Sequence, residues 1–208
     1  MRKAAFTATL AAAVVAIAAF GASIASAAKV LTCDGKLESG TYRAIRVPAG
    51  ATCKGMRATI TVQGGVRVES QATFILGNEK HFGGGTIGGS LSAVDPASVR
   101  LHFARVGGSV SIQGGNGFFS TVEDNHIAGG ATINGYSGFW LGFIRNHVAG
   151  TVRLNNNMMD DPDANEYVTN TIGGDLICHN DSPAPQIGDS GGSLNVVGGQ
   201  KIDQCRDL

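Results

Sequence analysis

The chain has 208 residues with 16 basic and 16 acidic side chains, 31 glycines and 4 cysteines. A balance without any basic run argues against nucleic acid and against anionic membrane surfaces as partners. The length suits one domain, and aliphatic residues persist between the glycines, which excludes a disordered linker.

At the N-terminus, Arg2 and Lys3 precede an apolar stretch from Ala4 to Ile24 that closes on Ala25-Ser26-Ala27. This is the layout of a signal peptide, so residues 1–27 are expected to be cleaved and 28–208 to form the exported domain. Its Ala, Gly and Ser content is too weakly hydrophobic for an anchor, and no membrane insertion of the mature chain is expected. Losing Arg2 and Lys3 leaves 14 of the 16 basic residues against 16 acids, a net charge of about −2.

Cys33 and Cys53 come next, twenty residues apart. A repeat then begins, reading aliphatic, two small residues, any residue, then aliphatic-x-aliphatic. Its copies start at Val62, Ile87, Val106, Ile127, Val148 and Ile172, at spacings of 25, 19, 21, 21 and 24 residues, with a degenerate copy near Val197. Helical-hairpin repeats need more than about thirty residues, and the Leu-x-x-Leu-x-Leu skeleton of leucine-rich repeats is missing. An all-β, single-domain, right-handed parallel β-helix of about six to seven coils remains, with neighbouring strands about 4.8 Å apart.

Alternation along each strand places Val66/Val68, Leu91/Ala93, Val110/Ile112, Ala131/Ile133, Val152/Leu154 and Leu176/Cys178 inward. Aligning backward gives a second inward row of Leu101, Val122, Phe143 and Tyr167. Asn125, Asn146 and Asn170 each stand two positions before an anchor. They are expected to turn a corner in left-handed backbone and to stack their amides along the axis.

Cys178 and Cys205 lie twenty-seven residues apart, about one coil, as do Cys33 and Cys53. In an exported chain these spacings predict Cys33–Cys53 and Cys178–Cys205 disulfides that staple the two ends. The stretches "SGTYRAIRVPAGATC" (39–53), "VQGGVRVESQATF" (62–74), "NTIGGDLICHNDSPAP" (170–185) and "NVVGGQKIDQC" (195–205) resemble small secreted bacterial parallel β-helix proteins. That resemblance implies the fold, export and the cysteine positions, and it carries over no catalytic residue. "QKIDQC" departs from the usual Gly-Gln-Cys finish.

Four groups of residues invite a chemical reading. His126 and His147 occupy equivalent positions on adjacent coils without a third ligand to complete a metal site. The insertion around Asp160, Asp161, Asp163 and Glu166 gathers carboxylates of the kind that hold calcium but lacks the ligand alternation of known loops, so no cofactor is expected. Glu123, Asp124 and Arg145, with the two histidines, come nearest to a polysaccharide lyase or hydrolase site, Asp124 stacking over Arg145 as a cross-coil charge pair. Phe118/Phe139 and Phe119/Trp140 stand in register, and alternation is expected to send one pair inward and leave the other as a sugar-stacking step.

An outward row of Ser90, Ser92, Ser109, Ser111, Thr132 and Thr151 adds hydroxyls repeating along the axis. The expected function is a secreted or cell-surface, non-catalytic solenoid with a structural role and scope for self-association. The first alternative is a module or adhesin that binds cell-wall or extracellular polysaccharide through the hydroxyl and aromatic residues. The second is a small polysaccharide-active enzyme.

Overall fold

In the computed structural model, residues 28–188 and 191–208 are described, and the signal peptide expected at 1–27 lies outside them. The described chain is all strand and turn, with no helix. Every strand ladder is parallel, and the strands form one nine-stranded and two eight-stranded sheets. Each coil contributes one strand to each sheet in turn, as in Val110–Gln113, Asn116–Glu123 and His126–Ile127. These three faces, called first, second and third below, enclose a single core that runs the length of the molecule.

Register partners on the first sheet confirm the repeat. Leu91 pairs with Val66 and Val110, Ala131 with Val110 and Val152, and Leu176 with Val152. All six inward pairs read from the sequence are buried, and so is the row Leu101, Val122, Phe143 and Tyr167. Stacked aliphatic side chains lose water on every side, which is the main favourable term for an element too short to be stable alone.

The coil count is about eight rather than six or seven. The additional strands are Val30–Thr32 and Ala44–Val47 at the N-terminal end, while Lys201–Asp203 belongs to the degenerate copy near Val197. The first of these coils is short, since Val30 pairs with Ala44, and the corner before Ala44 is Tyr42-Arg43 instead of an aliphatic followed by small residues. Both disulfides are formed, with Cα–Cα distances of 5.3 Å for Cys33–Cys53 and 5.2 Å for Cys178–Cys205.

The asparagine column differs from expectation in one respect. The left-handed corner residues are Asp124, Arg145 and Thr169, with φ of 57°, 53° and 60°, each immediately before its asparagine. Asn125, Asn146 and Asn170 are buried instead, and they tie successive coils together. Asn146 Oδ1 accepts from the backbone N–H of Asn125 at 3.1 Å and from its Nδ2 at 3.0 Å. Asn170 serves Asn146 in the same way at 2.8 and 3.1 Å, and Asn195 serves Asn170 at 3.0 and 2.9 Å. Each Nδ2 also donates to a carbonyl of the preceding coil, from Leu101 O to Tyr167 O. A tight corner leaves backbone groups that cannot join the ladders, and these side chains satisfy them.

Candidate functional site

The 25-residue interval between Val66 and Leu91 carries extra chain between the strands Thr73–Leu76 and Gly84–Ile87. That segment is held as a compact loop. Asn78 Oδ1 accepts from the N–H groups of Lys80 at 3.0 Å and His81 at 2.7 Å. Asn78, Glu79 and Lys80 close one side of a cavity of about 250 Å³ on the outer side of the second sheet. Arg100, His102, Phe119, Glu123 and Trp140 form the rest of its lining. Strand alternation points His102 and Glu123 away from the core, yet each is only 3% exposed.

The acidic side of the cavity is largely neutralised from within. The Arg145 guanidinium grips Asp124 with Nε to Oδ1 at 2.9 Å and a second nitrogen to Oδ2 at 3.0 Å, and it also donates to Glu123 Oε1. Glu79 Oε1 lies 4.0 Å from the same guanidinium. Burial pushes the Glu123 carboxyl up to about 7, with Glu79 and Asp124 adding to the rise and Arg145 opposing it. Loss of water disfavours the charged form, and here that effect exceeds the attraction of the nearby cation. Burial likewise pulls His102 down to about 4, so the imidazole is neutral at neutral pH. Its Nδ1 lies 3.4 Å from Glu123 Oε2 but has no aligned hydrogen-bond partner.

The cationic side is not neutralised. Arg100 lies over the Phe119 ring, 4.7 Å from its centroid, and its buried Nε has no hydrogen-bond partner. Among the described residues neither Arg100 nor Lys80 makes an ion pair.

Both aromatic pairs stack, Phe118 on Phe139 at 4.6 Å and Phe119 on Trp140 at 4.5 Å. The expected division into an inner and an outer pair does not occur. Phe118 is 72% exposed and Phe139 38%, whereas Phe119 and Trp140 are half-buried on the outside of the sheet. Gly117 and Gly138 approach the carbonyls of the coil before so closely that a Cβ would collide, and Tyr136 fills the core at that level. The strands Asn116–Glu123 and Ser137–Ile144 therefore leave regular alternation at Phe118 and Phe139, which are missing from the register between them. Stacking also runs along the axis. Phe119 has Arg100 on one face and Trp140 on the other, so a ligand meets the edge of the Phe119 ring there.

The structure divides the hydroxyl row. Ser92, Ser111 and Thr132 form an outward column in exact register on the first sheet, and Arg153 follows. Ser90, Ser109 and Thr151 sit at the corner, where their oxygens accept from the N–H groups of Ser109, Gly130 and Asp175 at 3.0, 3.3 and 3.4 Å. Their acceptor capacity is therefore engaged within the fold.

His126 and His147 do not belong to the Glu123 cluster. They stack at 4.8 Å on the third sheet, below Arg105, along a shallow groove of about 540 Å³. Parallel rings keep their nitrogen lone pairs parallel, so the two do not converge on one ion. Asp160 and Asp163 are exposed while Glu166 is buried, which separates the proposed calcium ligands. No group of three or more His, Cys, Asp or Glu gathers for a metal among the described residues.

The cluster Glu123, Asp124 and Arg145 is thus assembled, with His102, Glu79, Lys80 and Arg100 as members that sequence reasoning missed. His102 carried a usable signal, since it is the register partner of Glu123 one coil earlier. Glu79 and Lys80 carried none, because only the folding back of the loop brings them here. No family model, curated protein or solved structure matches the chain.

Proposed function

We propose that the protein is an exported, rigid solenoid that binds a polysaccharide on the outer side of its second sheet. Export is supported by two formed disulfides, which persist in oxidising compartments, and by the leader-like N-terminal sequence. Both also agree with the resemblance to small secreted β-helix proteins. The observation that carries the binding reading is a coincidence on one face: the Phe119–Trp140 stack lines a cavity in which buried polar groups lack partners, and the exposed Phe118–Phe139 stack stands on the same two strands. Sugar rings present apolar C–H faces and equatorial hydroxyls together, and a site combining aromatic surface with unpaired donors and acceptors suits both.

A rigid support matters for such a ligand. Contacts to individual sugars are weak, and a chain gains affinity when several sites are held at fixed spacing. The coils are fixed by the asparagine column and by the end disulfides, so a structural role and a binding role draw on the same rigidity.

The test is affinity electrophoresis and pull-down on a panel of cell-wall and extracellular polysaccharides, with wild type, Trp140→Ala and Phe118→Ala compared. Wild-type retention on at least one polysaccharide, reduced at least tenfold by Trp140→Ala, supports the reading. No retention on any member, or retention indifferent to both substitutions, defeats it and leaves a structural role alone.

A further inference from the structure

We propose that the cavity between the loop at 78–80 and the second sheet recognises a carboxylate-bearing sugar, a uronic acid unit, with Arg100 as the residue that holds the carboxylate. This inference rests on the glycan-binding reading and specifies its substrate class.

The argument is one of charge left over. Two acidic side chains, Glu79 and Glu123, line the cavity, with Asp124 just behind them, and Arg145 deals with all three: it grips Asp124 and Glu123 directly and lies 4.0 Å from Glu79. Arg100 and Lys80, on the other side, have no anionic partner among the described residues. A half-buried guanidinium with a desolvated, unbonded Nε is costly to leave alone, and its fork of donors matches a carboxylate in two parallel hydrogen bonds. Phe119 supports the guanidinium from beneath at 4.7 Å, which holds the fork in place before a ligand arrives.

The remaining lining fits the rest of such a sugar. Trp140, half-buried next to Phe119 in the same stack, lines the cavity and adds apolar ring surface beside the sugar. His102, 3% exposed with Nδ1 unsatisfied, and Glu123 stand at the floor to meet hydroxyls. About 250 Å³ suits one sugar unit, while Lys80 on the exposed loop is placed to add a second, weaker attraction to the anion.

The experiment is isothermal titration of the purified protein with size-matched oligosaccharides: oligogalacturonate and hyaluronan fragments as two sources of uronate, and xylan and cellulose fragments as neutral chains. Wild type is expected to bind at least one uronate oligomer tenfold or more tighter than any neutral one. Which of the two it prefers identifies the source. Arg100→Gln should bring uronate affinity down to the neutral level and leave neutral binding within twofold. Trp140→Ala should weaken both kinds together. Lys80→Gln, on an exposed loop with no fold contacts at stake, should cost uronate binding about threefold and serves if Arg100→Gln melts markedly lower. Neutral chains bound as well as uronates, or a uronate preference that survives both Arg100→Gln and Lys80→Gln, overturns the inference while glycan binding stands. No binding to any oligomer removes the underlying reading as well.

Discussion

The indole of Trp140 lies across Gly142, so that a Cβ on Gly142 would collide with Trp140 Cη2. Gly142 has ordinary backbone φ, and the obstructing atom is the far end of a side chain, so Gly142→Ala should displace the ring and leave the coil intact. With 1 tryptophan in the chain, its fluorescence reports on this site alone. The expected outcome is a red-shifted emission, a stability loss of about 1 kcal/mol, and glycan retention reduced as in Trp140→Ala. Unchanged emission would mean that the indole is not where the structure places it.

Asp181 occupies the position that Asn157 holds one coil earlier, each accepting or donating across the same corner. Asn157 Nδ2 donates to Ile133 O at 3.3 Å, whereas Asp181 Oδ2 is buried without a partner. A proton on that oxygen would let it donate as the amide does. Burial pushes the Asp181 carboxyl from 3.8 up to about 7. With the folded value above the unfolded one, its contribution to stability is fully present below about pH 4 and lost as pH rises to 7. Asp181→Asn should therefore stabilise the protein at pH 8 by roughly 2 kcal/mol and leave it nearly unchanged at pH 4. Denaturant melts at the two pH values measure the difference, and an equal effect at both would refute the protonated ladder.

Glu123 and His102 shift in opposite directions, and their pH effects should oppose one another. Glu123, raised from 4.5 to about 7, favours the folded state below 4.5, and that contribution disappears as pH climbs through 7. His102, lowered from 6.5 to about 4, supports the fold above 6.5, and its contribution is lost as pH falls toward 4. Glu123→Gln should flatten the fall in stability between about pH 5 and 7, and His102→Gln the fall on the acid side. Thermal melts across pH 4 to 8 separate the two.

Asn146 supplies the acceptor for two donors of Asn125 and satisfies Val122 O. Asn146→Ala takes the partner from the Asn125 N–H, one of the two acceptors from Asn125 Nδ2, which keeps Leu101 O, and the side-chain donor from Val122 O, all of them buried. A loss of about 3 kcal/mol or more is expected, larger than truncating a surface side chain by an order of magnitude. Asn146→Asp should be nearly as damaging at neutral pH, because a buried carboxylate cannot donate to Val122 O. A cost under 1 kcal/mol for the alanine variant would show that the column carries little of the stability.

The core was legible from sequence because each coil restates it. Alternation places Val110/Ile112 and Ala131/Ile133 inward wherever the strand is regular, and the spacing of Ile127 and Val148 reveals the pitch. The added coils at the N-terminal end escaped because Tyr42-Arg43 replaces the aliphatic and small residues at the corner. Asn195, the last rung of the column, was within reach, since it stands two positions before Val197 as Asn170 stands before Ile172. Where the strand bends, period-two reasoning fails, which is why neither the Phe118–Phe139 pair nor the Phe119–Trp140 pair turns into the core. His126 and His147 were grouped with Glu123 by nearness in sequence, but the left-handed corner at Asp124 turns the chain onto another face between them.

The asparagine column also makes the length of the molecule adjustable. Asn125, Asn146 and Asn170 offer the same donors to one side and the same acceptor to the other, so any rung can follow any other. A tandem copy of residues 125–145 would present a matching surface at both of its junctions and would extend the rod by about 4.8 Å without stranding a polar group. A globular core, closed on all sides, has no room for such an insertion. Here duplication of one short segment lengthens the outer faces in whole steps, and a lineage carrying this fold can set the reach of the rod one coil at a time.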